Sequence, residues 1–237
     1  MTATAQQRAW RQQKIEELCA ATLRAMTGDF SLHYRGRRLH KGSHALPMHA
    51  PHLRVDPDVD DFADCRAAAD GMALRLLHSD AALHRSLCPE DRIERLVFEL
   101  LEQLRVETMM PTDMPGMARN LHLRFENWSR EFYRSGLTEG RLGILLYTVA
   151  QMCWSRLMAK AVLEETEDYI EGTRASLVSR LGTPLAGMRR HREDQQAFAG
   201  HALEIASIVG DTVRTERSES GSEAAAAEAD DDEEVKS

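Results

Sequence analysis

At 237 residues, with 43% apolar and 29% charged residues, the chain can bury a sizeable core in one main domain with appendages. Its net charge of −8 is concentrated: from Glu216 to Ser237 nine acids stand against Arg217 and Lys236, a local −7 that leaves −1 for the first 215 residues. A near-neutral body without a basic face interleaved with aromatics argues against nucleic acid as a partner, and few aromatics beside abundant Leu, Ala and Met favour helices over sheets.

In chain order, residues 6–26 read as an amphipathic helix with Trp10, Ile15, Leu18, Cys19, Thr22 and Met26 near one face, closed by Gly28. Phe30, Leu32 and Tyr34 then alternate with polar residues. Gly36 offers a turn, and Pro47, Pro51 and Pro57 punctuate the segment after it, so a two- or three-stranded β element with loops is expected over 30–57. From Asp58 the pattern is helical again, with Phe62, Cys65, Ala69, Met72, Leu76, Leu83 and Leu87 at three- and four-residue steps, interrupted near Ser79 and ended by Pro89.

Asp91 can cap a helix running to about Met110 on a stripe of Ile93, Leu96, Val97, Leu100, Leu101 and Leu104. Pro111 and Pro115 bracket a loop. Helices are expected at 116–134, 139–163, 165–181 and 191–214, the last two separated by Gly182 and Pro184. The fold class is therefore mainly α, a multi-helix bundle-like domain over 1–214 with a small β insertion. Residues 215–237, rich in Ser, Gly, Ala and acids, have too little to bury and are expected to form a disordered acidic tail or linker.

Cys19, Cys65, Cys88 and Cys153 never form a CxxC pair and sit in apolar, helix-periodic settings, which suits reduced thiols in the cytoplasm. The most apolar stretch, Leu142 to Trp154, is too short to span a bilayer and reads as a core helix, so no membrane is expected as a partner.

No Walker A sequence, GxGxxG, HExxH or GxSxG is present, so no catalytic residue is assigned and no bound cofactor is expected on this chain. Three weaker constellations remain. His33, His40, His44, His49 and His52 fall within twenty residues. They are either surface histidines or, with His40, His44, His49 and His52 as the candidates, a loop gathered around a divalent metal.

Glu107 falls within the Leu stripe of its helix, where a carboxylate must find a donor; Arg75, His78 and His84 are candidate partners. Glu102 falls near the opposite side with Arg95 beside it. Asp80 and His84 stand four residues apart, a carboxylate placed to brace or orient an imidazole.

A longer pattern joins these residues. Met72-Ala73-Leu74-Arg75-Leu76, Asp80-Ala81-Ala82-Leu83-His84 and Leu87-Cys88-Pro89 are followed by Arg95, Phe98, Glu99, Glu102-Gln103 and Arg105-Val106-Glu107. Then come Met114-Pro115-Gly116-Met117-Ala118 and Asn120-Leu121, and later Asp194-Gln195-Gln196-Ala197-Phe198-Ala199. The order resembles the N-terminal region of the CobT-type subunit of the aerobic cobaltochelatase, over about residues 60–210.

The resemblance implies a subunit of an ATP-dependent metal chelatase, a cobalt–nitrogen ligase, without a complete active site of its own. Its partners would be a AAA+ ATPase subunit, with which it forms rings, and a large macrocycle-binding subunit. The complex would use ATP, magnesium and cobalt to metallate a corrin ring in cobalamin biosynthesis. The acidic tail would be the linker to a von Willebrand factor A domain. Asp80, His84, Glu102, Gln103, Arg105 and Glu107 would organise the core and a docking face. Two other readings stay open: an adaptor for a different AAA+ remodelling ATPase, and a small metal-binding protein using the histidine-rich loop or Asp80, His84 and Glu107.

Overall fold

The computed structural model describes residues 2–48 and 50–234, with side chains over 5–48 and 50–218. Among the described residues, eight helices and one small sheet follow one another: α1 (Thr2–Thr27), β1 (Leu32–Arg35), β2 (Arg38–Lys41), β3 (His44–Ala45), α2 (Phe62–His78), α3 (Ala81–Leu87), α4 (Arg92–Glu107), α5 (Pro115–Arg134), α6 (Arg141–Met158), α7 (Glu164–Arg190) and α8 (Gln195–Glu234). Short 3₁₀ turns sit at Pro51–Leu53 and Leu137–Glu139. The mainly helical expectation with a small β element holds. No helix among the described residues is long and apolar enough to cross a membrane.

The sheet is a meander, β1-β2-β3, antiparallel throughout, with Arg35 opposite Arg38. Gly36 and Arg37 between them both have positive φ, 58° and 64°, the two-residue turn whose twist matches a hairpin. Arg37 tolerates that conformation while its guanidinium holds the carboxylates of Asp56 and Asp58. Leu32 and Leu39 point inward and pack with Ile15, Cys19 and Leu23 of α1 and Cys65, Ala69, Met72 and Ala73 of α2. The buried face of α1 is thus Ile15, Cys19 and Leu23. Trp10 and Leu18, expected on that face, are exposed, because the sheet covers a narrower stripe than the apolar residues span.

α2 is covered on two sides. Its other face meets the Pro51–Leu53 turn, α4 and α5 through Ala68, Leu74, Leu53, Val106, Met117 and Leu121. At Gly71 a Cβ would lie 2.9 Å from both Leu53 δ-carbons and 3.2 Å from Gln103 Nε2, so any larger residue would have to displace the Leu53 side chain. The largest core joins α4, α5, α6, α7 and α8, and α4 belongs to both of these assemblies.

Aspartate caps set several boundaries, Asp91 as the sequence suggests and Asp61 and Asp80 in addition. Asp61 accepts from the Asp64 N–H, Asp80 from Ala82 and Leu83, and Asp91 from Ile93 and Glu94. Ser79 breaks the helical run between α2 and α3 as expected. Elsewhere the boundaries move. α4 stops at Glu107, short of Met110, and α6 spans Arg141–Met158 within the expected 139–163, ending at Ala159 with φ +53°.

Pro184 does not separate two helices but lies inside α7, which continues to Arg190. A proline there removes one helical hydrogen bond, at a cost of roughly 3 kcal/mol. The stripe Leu177, Leu181, Leu185 and Met188, buried in the core it shares with Phe198, Ala202, Ile205 and Val209 of α8, holds the helix together regardless. α8 begins at Gln195, after a four-residue turn in which Asp194 accepts from the Ala197 N–H. The last side chain of α8 in that core is Val213; the helix, expected to end near 214, continues into the acidic segment as far as Glu234.

Burial of two thiols makes the fold sensitive to base. Burial pushes Cys153 up to about 12 from an ordinary 9.0, and burial, then the neighbouring Cys65, pushes Cys19 up to about 12. Above pH 9 the unfolded chain releases these protons while the folded chain keeps them. The unfolded state then binds fewer protons, and stability falls as pH rises; below pH 9 the contribution is fully present. The thiols' contribution to the unfolding free energy from urea titrations should be flat well below pH 9 and decline above it by up to about 1.4 kcal/mol per pH unit per thiol. In Cys153→Ala the decline should be visibly shallower.

Candidate functional site

The C-terminal half of α4 is enclosed on every side: Val97 through Glu107 are all buried. Five of these eleven residues are polar, namely Glu99, Glu102, Gln103, Arg105 and Glu107. An isolated charge in such a place is very costly, so each needs a partner supplied by another element. Three constellations supply them.

The first surrounds Glu107. Its Oε1 accepts from His52 Nε2 at 2.8 Å and from Gln103 Nε2 at 2.9 Å, and Gln103 also donates to the Gly71 carbonyl at 3.1 Å. His52 is fully buried on the Pro51–Leu53 turn, with Phe125 and Trp128 edge-on to its ring. Its Nδ1 has no hydrogen-bond partner, so Nε2 alone ties the ring to Glu107.

Arg124 anchors the turn itself, donating to the His52 carbonyl at 2.7 Å while pairing with Asp64 at 3.2 Å and Glu131 at 3.0 Å. Burial alone would push the Arg124 guanidinium down; the hydrogen bond and charge of Glu131, joined by Asp64, more than offset this and hold it above its ordinary value. A continuous path of contacts thus runs from α5 through the turn to α4 and α2. Glu107 also lines a cleft of about 440 Å³ with Arg119, His122, Trp154 and Lys160.

The second constellation is centred on Arg105. Its guanidinium forms a two-point pair with Glu102, Nε to Oε2 at 2.7 Å and Nη2 to Oε1 at 2.9 Å. It also donates to the carbonyls of His78 at 2.6 Å and Arg192 at 3.2 Å, and Phe198 lies 6.0 Å from it. Ser79 Oγ donates to Glu102 at 2.6 Å. Gln195 closes the ring, donating to Ser79 Oγ and the Asp80 carbonyl while accepting from the Asp80 N–H at 2.7 Å. One arginine therefore ties together α4, the α2–α3 turn and the α7–α8 turn.

The third is built on Glu99. Its Oε2 lies 3.1 Å from Arg75 Nη2 and 2.9 Å from His84 Nε2, and its Oε1 is 3.9 Å from Cys88 Sγ. The His84 ring stacks on Phe98 at 4.9 Å. Burial, then the Glu99 carboxylate, pushes the Cys88 thiol up, and burial pulls Arg75 down.

Several sequence expectations change here. Glu107 is buried as its helical phase requires, but its partners are His52 and Gln103 rather than Arg75, His78 or His84. Arg75 and His84 serve Glu99, and His78 contributes only its carbonyl, to Arg105. Glu102 does not face solvent beside Arg95; α4 has no exposed face at that height, and Glu102 pairs with Arg105. Asp80 does not orient His84, because its carboxylate is engaged by the amides that begin α3.

The histidine-rich segment does not converge among its described members. His33 and His40 stack across the hairpin at 5.6 Å, His44 is exposed at β3, and His52 is in the core. His49 lies outside the described residues.

Sequence reasoning passed over Arg124 as a functional candidate, and used Glu99 and Cys88 only as marks of a resemblance. Glu99, Gln103 and Glu107 recur at four-residue steps along one line of α4, and Arg124 interrupts the apolar series Leu121, Phe125 and Trp128. Those spacings were the available signals.

A family model of the cobalamin biosynthesis protein CobT matches residues 11–237. The chain belongs to the CobT family. With that membership comes a cobaltochelatase-related role in cobalamin biosynthesis, and with it the expectation of work in a complex. No solved structure matches the chain. Seven polar residues of the sequence pattern, Arg75, His84, Glu99, Glu102, Gln103, Arg105 and Glu107, take part in the three constellations.

Removing Glu107 leaves two buried donors without an acceptor, so Glu107→Ala should lose about 1–3 kcal/mol in urea unfolding; an unchanged midpoint would contradict its bridging role. For the Glu102–Arg105 pair, either single Leu substitution strands a buried charge and should cost about 3–5 kcal/mol. The double variant Glu102→Leu/Arg105→Leu should cost well under the sum. Additivity of the two within about 0.5 kcal/mol would show that they act independently.

Proposed function

We propose that this CobT-family chain is a noncatalytic part of an ATP-dependent cobaltochelatase. It docks on a AAA+ ATPase ring and couples that ring to the large subunit that holds the corrin macrocycle and receives cobalt. The observation that carries this reading is the family match over residues 11–237.

The arrangement of polar groups supports a mechanical role. Glu102, Gln103, Arg105 and Glu107 spend hydrogen bonds on one another and on backbone carbonyls of α2, of the α2–α3 turn and of the α7–α8 turn. Fully partnered buried networks rigidify a core and fix one packing arrangement. A body braced in this way suits the transmission of movement between partners. ATP and magnesium would act at the AAA+ subunit, and the acidic residues after Thr215 would serve as a tether.

Energy coupling requires an interface whose free energy differs between nucleotide states. Immobilised chain should therefore retain the purified AAA+ subunit, and should retain it differently with ATP, ADP or no nucleotide. ATP turnover should require the AAA+ subunit. Equal retention in all three states would contradict coupling, and no retention in any state would contradict docking.

A further inference from the structure

The Glu99 constellation offers more than a brace. A ring nitrogen of His84, Cys88 Sγ and a Glu99 carboxylate oxygen all lie within 4.8 Å of one another. They are presented by three separate pieces of structure: α3, the residue that caps its C-terminus, and α4. Metal–ligand bonds of about 2.0–2.3 Å place neighbouring ligand atoms of a tetrahedral ion roughly 3.3–3.8 Å apart. His84 Nε2 to Glu99 Oε2, at 2.9 Å, and Cys88 Sγ to Glu99 Oε1, at 3.9 Å, bracket that range. Side-chain shifts of up to about 1 Å would bring the three donors from within 4.8 Å of one another onto one ion.

From these distances we propose that His84, Cys88 and Glu99 form a binding site for a divalent transition metal of the zinc or cobalt(II) class.

The donor set selects that class. One imidazole, one thiolate and one carboxylate suit borderline ions, whereas magnesium and calcium prefer all-oxygen shells. The fourth position is available to a water or a small ligand, because all three residues border a cavity of about 340 Å³ that also reaches Leu46 and Pro47. The surroundings also resemble those of a metal site. Arg75 holds Glu99 Oε2 at 3.1 Å and the Phe98 ring lies flat on His84, so both the carboxylate and the imidazole are held in place before an ion arrives.

On binding, the Cys88 S–H bond breaks, a sulfur–metal bond forms and the proton passes to solvent; His84 ligates as its Nδ1–H tautomer, the hydrogen that Nε2 shares with Glu99 leaving to solvent as Nδ1 takes one up. Thiolate, carboxylate, guanidinium and ion together then carry +1. This site differs from the histidine-rich segment and from the Asp80, His84 and Glu107 grouping: of those residues only His84 takes part, with Cys88 and Glu99 supplying the other donors. It also stands independently of the chelatase reading, since it concerns binding by this chain alone.

Titration of the whole chain with Co²⁺ under reducing conditions tests it, followed by optical absorption and by equilibrium dialysis. One equivalent should bind, with a cobalt–thiolate charge-transfer band and ligand-field bands of tetrahedral intensity, and Zn²⁺ should displace it. About one proton should be released per ion, so affinity should rise up to about tenfold per pH unit between pH 6 and 8. Cys88→Ser, which preserves the shape of the side chain, should abolish the charge-transfer band, and His84→Ala should weaken binding at least about tenfold. His44→Ala should leave both unchanged, and circular dichroism verifies the fold of each variant. Absence of saturable binding tighter than about 10 µM would overturn the proposal, as would one-equivalent binding that survives in Cys88→Ser with its spectrum intact.

Discussion

The structure depends on burying a helix that is not apolar. From Val97 to Glu107, α4 is closed off by α2 on one side and by α6 and α8 on the others, yet nearly half of this segment is charged or amide. Leaving any of these groups unpaired would cost several kcal/mol, a large fraction of the net stability of a domain this size. The neighbouring elements are therefore fixed by what α4 needs from them. The Pro51–Leu53 turn must bring His52 to Glu107, the end of α2 must offer the His78 carbonyl and the next residue Ser79, and the α7–α8 turn must offer the Arg192 carbonyl and lead into Gln195 at the start of α8. Hydrophobic packing alone would allow these turns to slide; the hydrogen bonds specify one arrangement.

This constraint also explains how local irregularities are tolerated. Gly71 brings α2 close enough for its carbonyl to meet Gln103 and for Leu53 to seat beneath it. Arg124 spends its guanidinium on Asp64, Glu131 and the backbone of the turn bearing His52, so the partner of Glu107 is itself held from behind. Membership of the CobT family places this braced body in the cobaltochelatase-related branch of cobalamin biosynthesis. A rigid unit with polar cross-links between its helices is a suitable element for a multi-subunit machine.

Much of the fold was legible in the residues. The helical periods, the capping aspartate Asp91 and the hairpin around Gly36 are local signals, and local physics decides them. The anomalous placement of Glu107 on an apolar face was legible too. Its partner was not: His52 lies 55 residues earlier, in a loop whose course depends on Arg124, a residue 72 positions away from the carbonyl it holds. Glu102 was misread because a helical wheel assumes one solvent face, which α4 lacks. Pro184 was misread because a local rule about proline gave way to the buried stripe shared by α7 and α8.

If α4 is the pivot of the molecule, its amides should open only when the whole domain unfolds. Native-state hydrogen exchange across the chain measures this directly. The amides of Glu99–Glu107 should be among the slowest, with an opening free energy equal to that of global unfolding, while those of α1 should exchange through smaller openings. Exchange in α4 as fast as in α1, through a local opening well below the global value, would contradict the central place given to its buried charges.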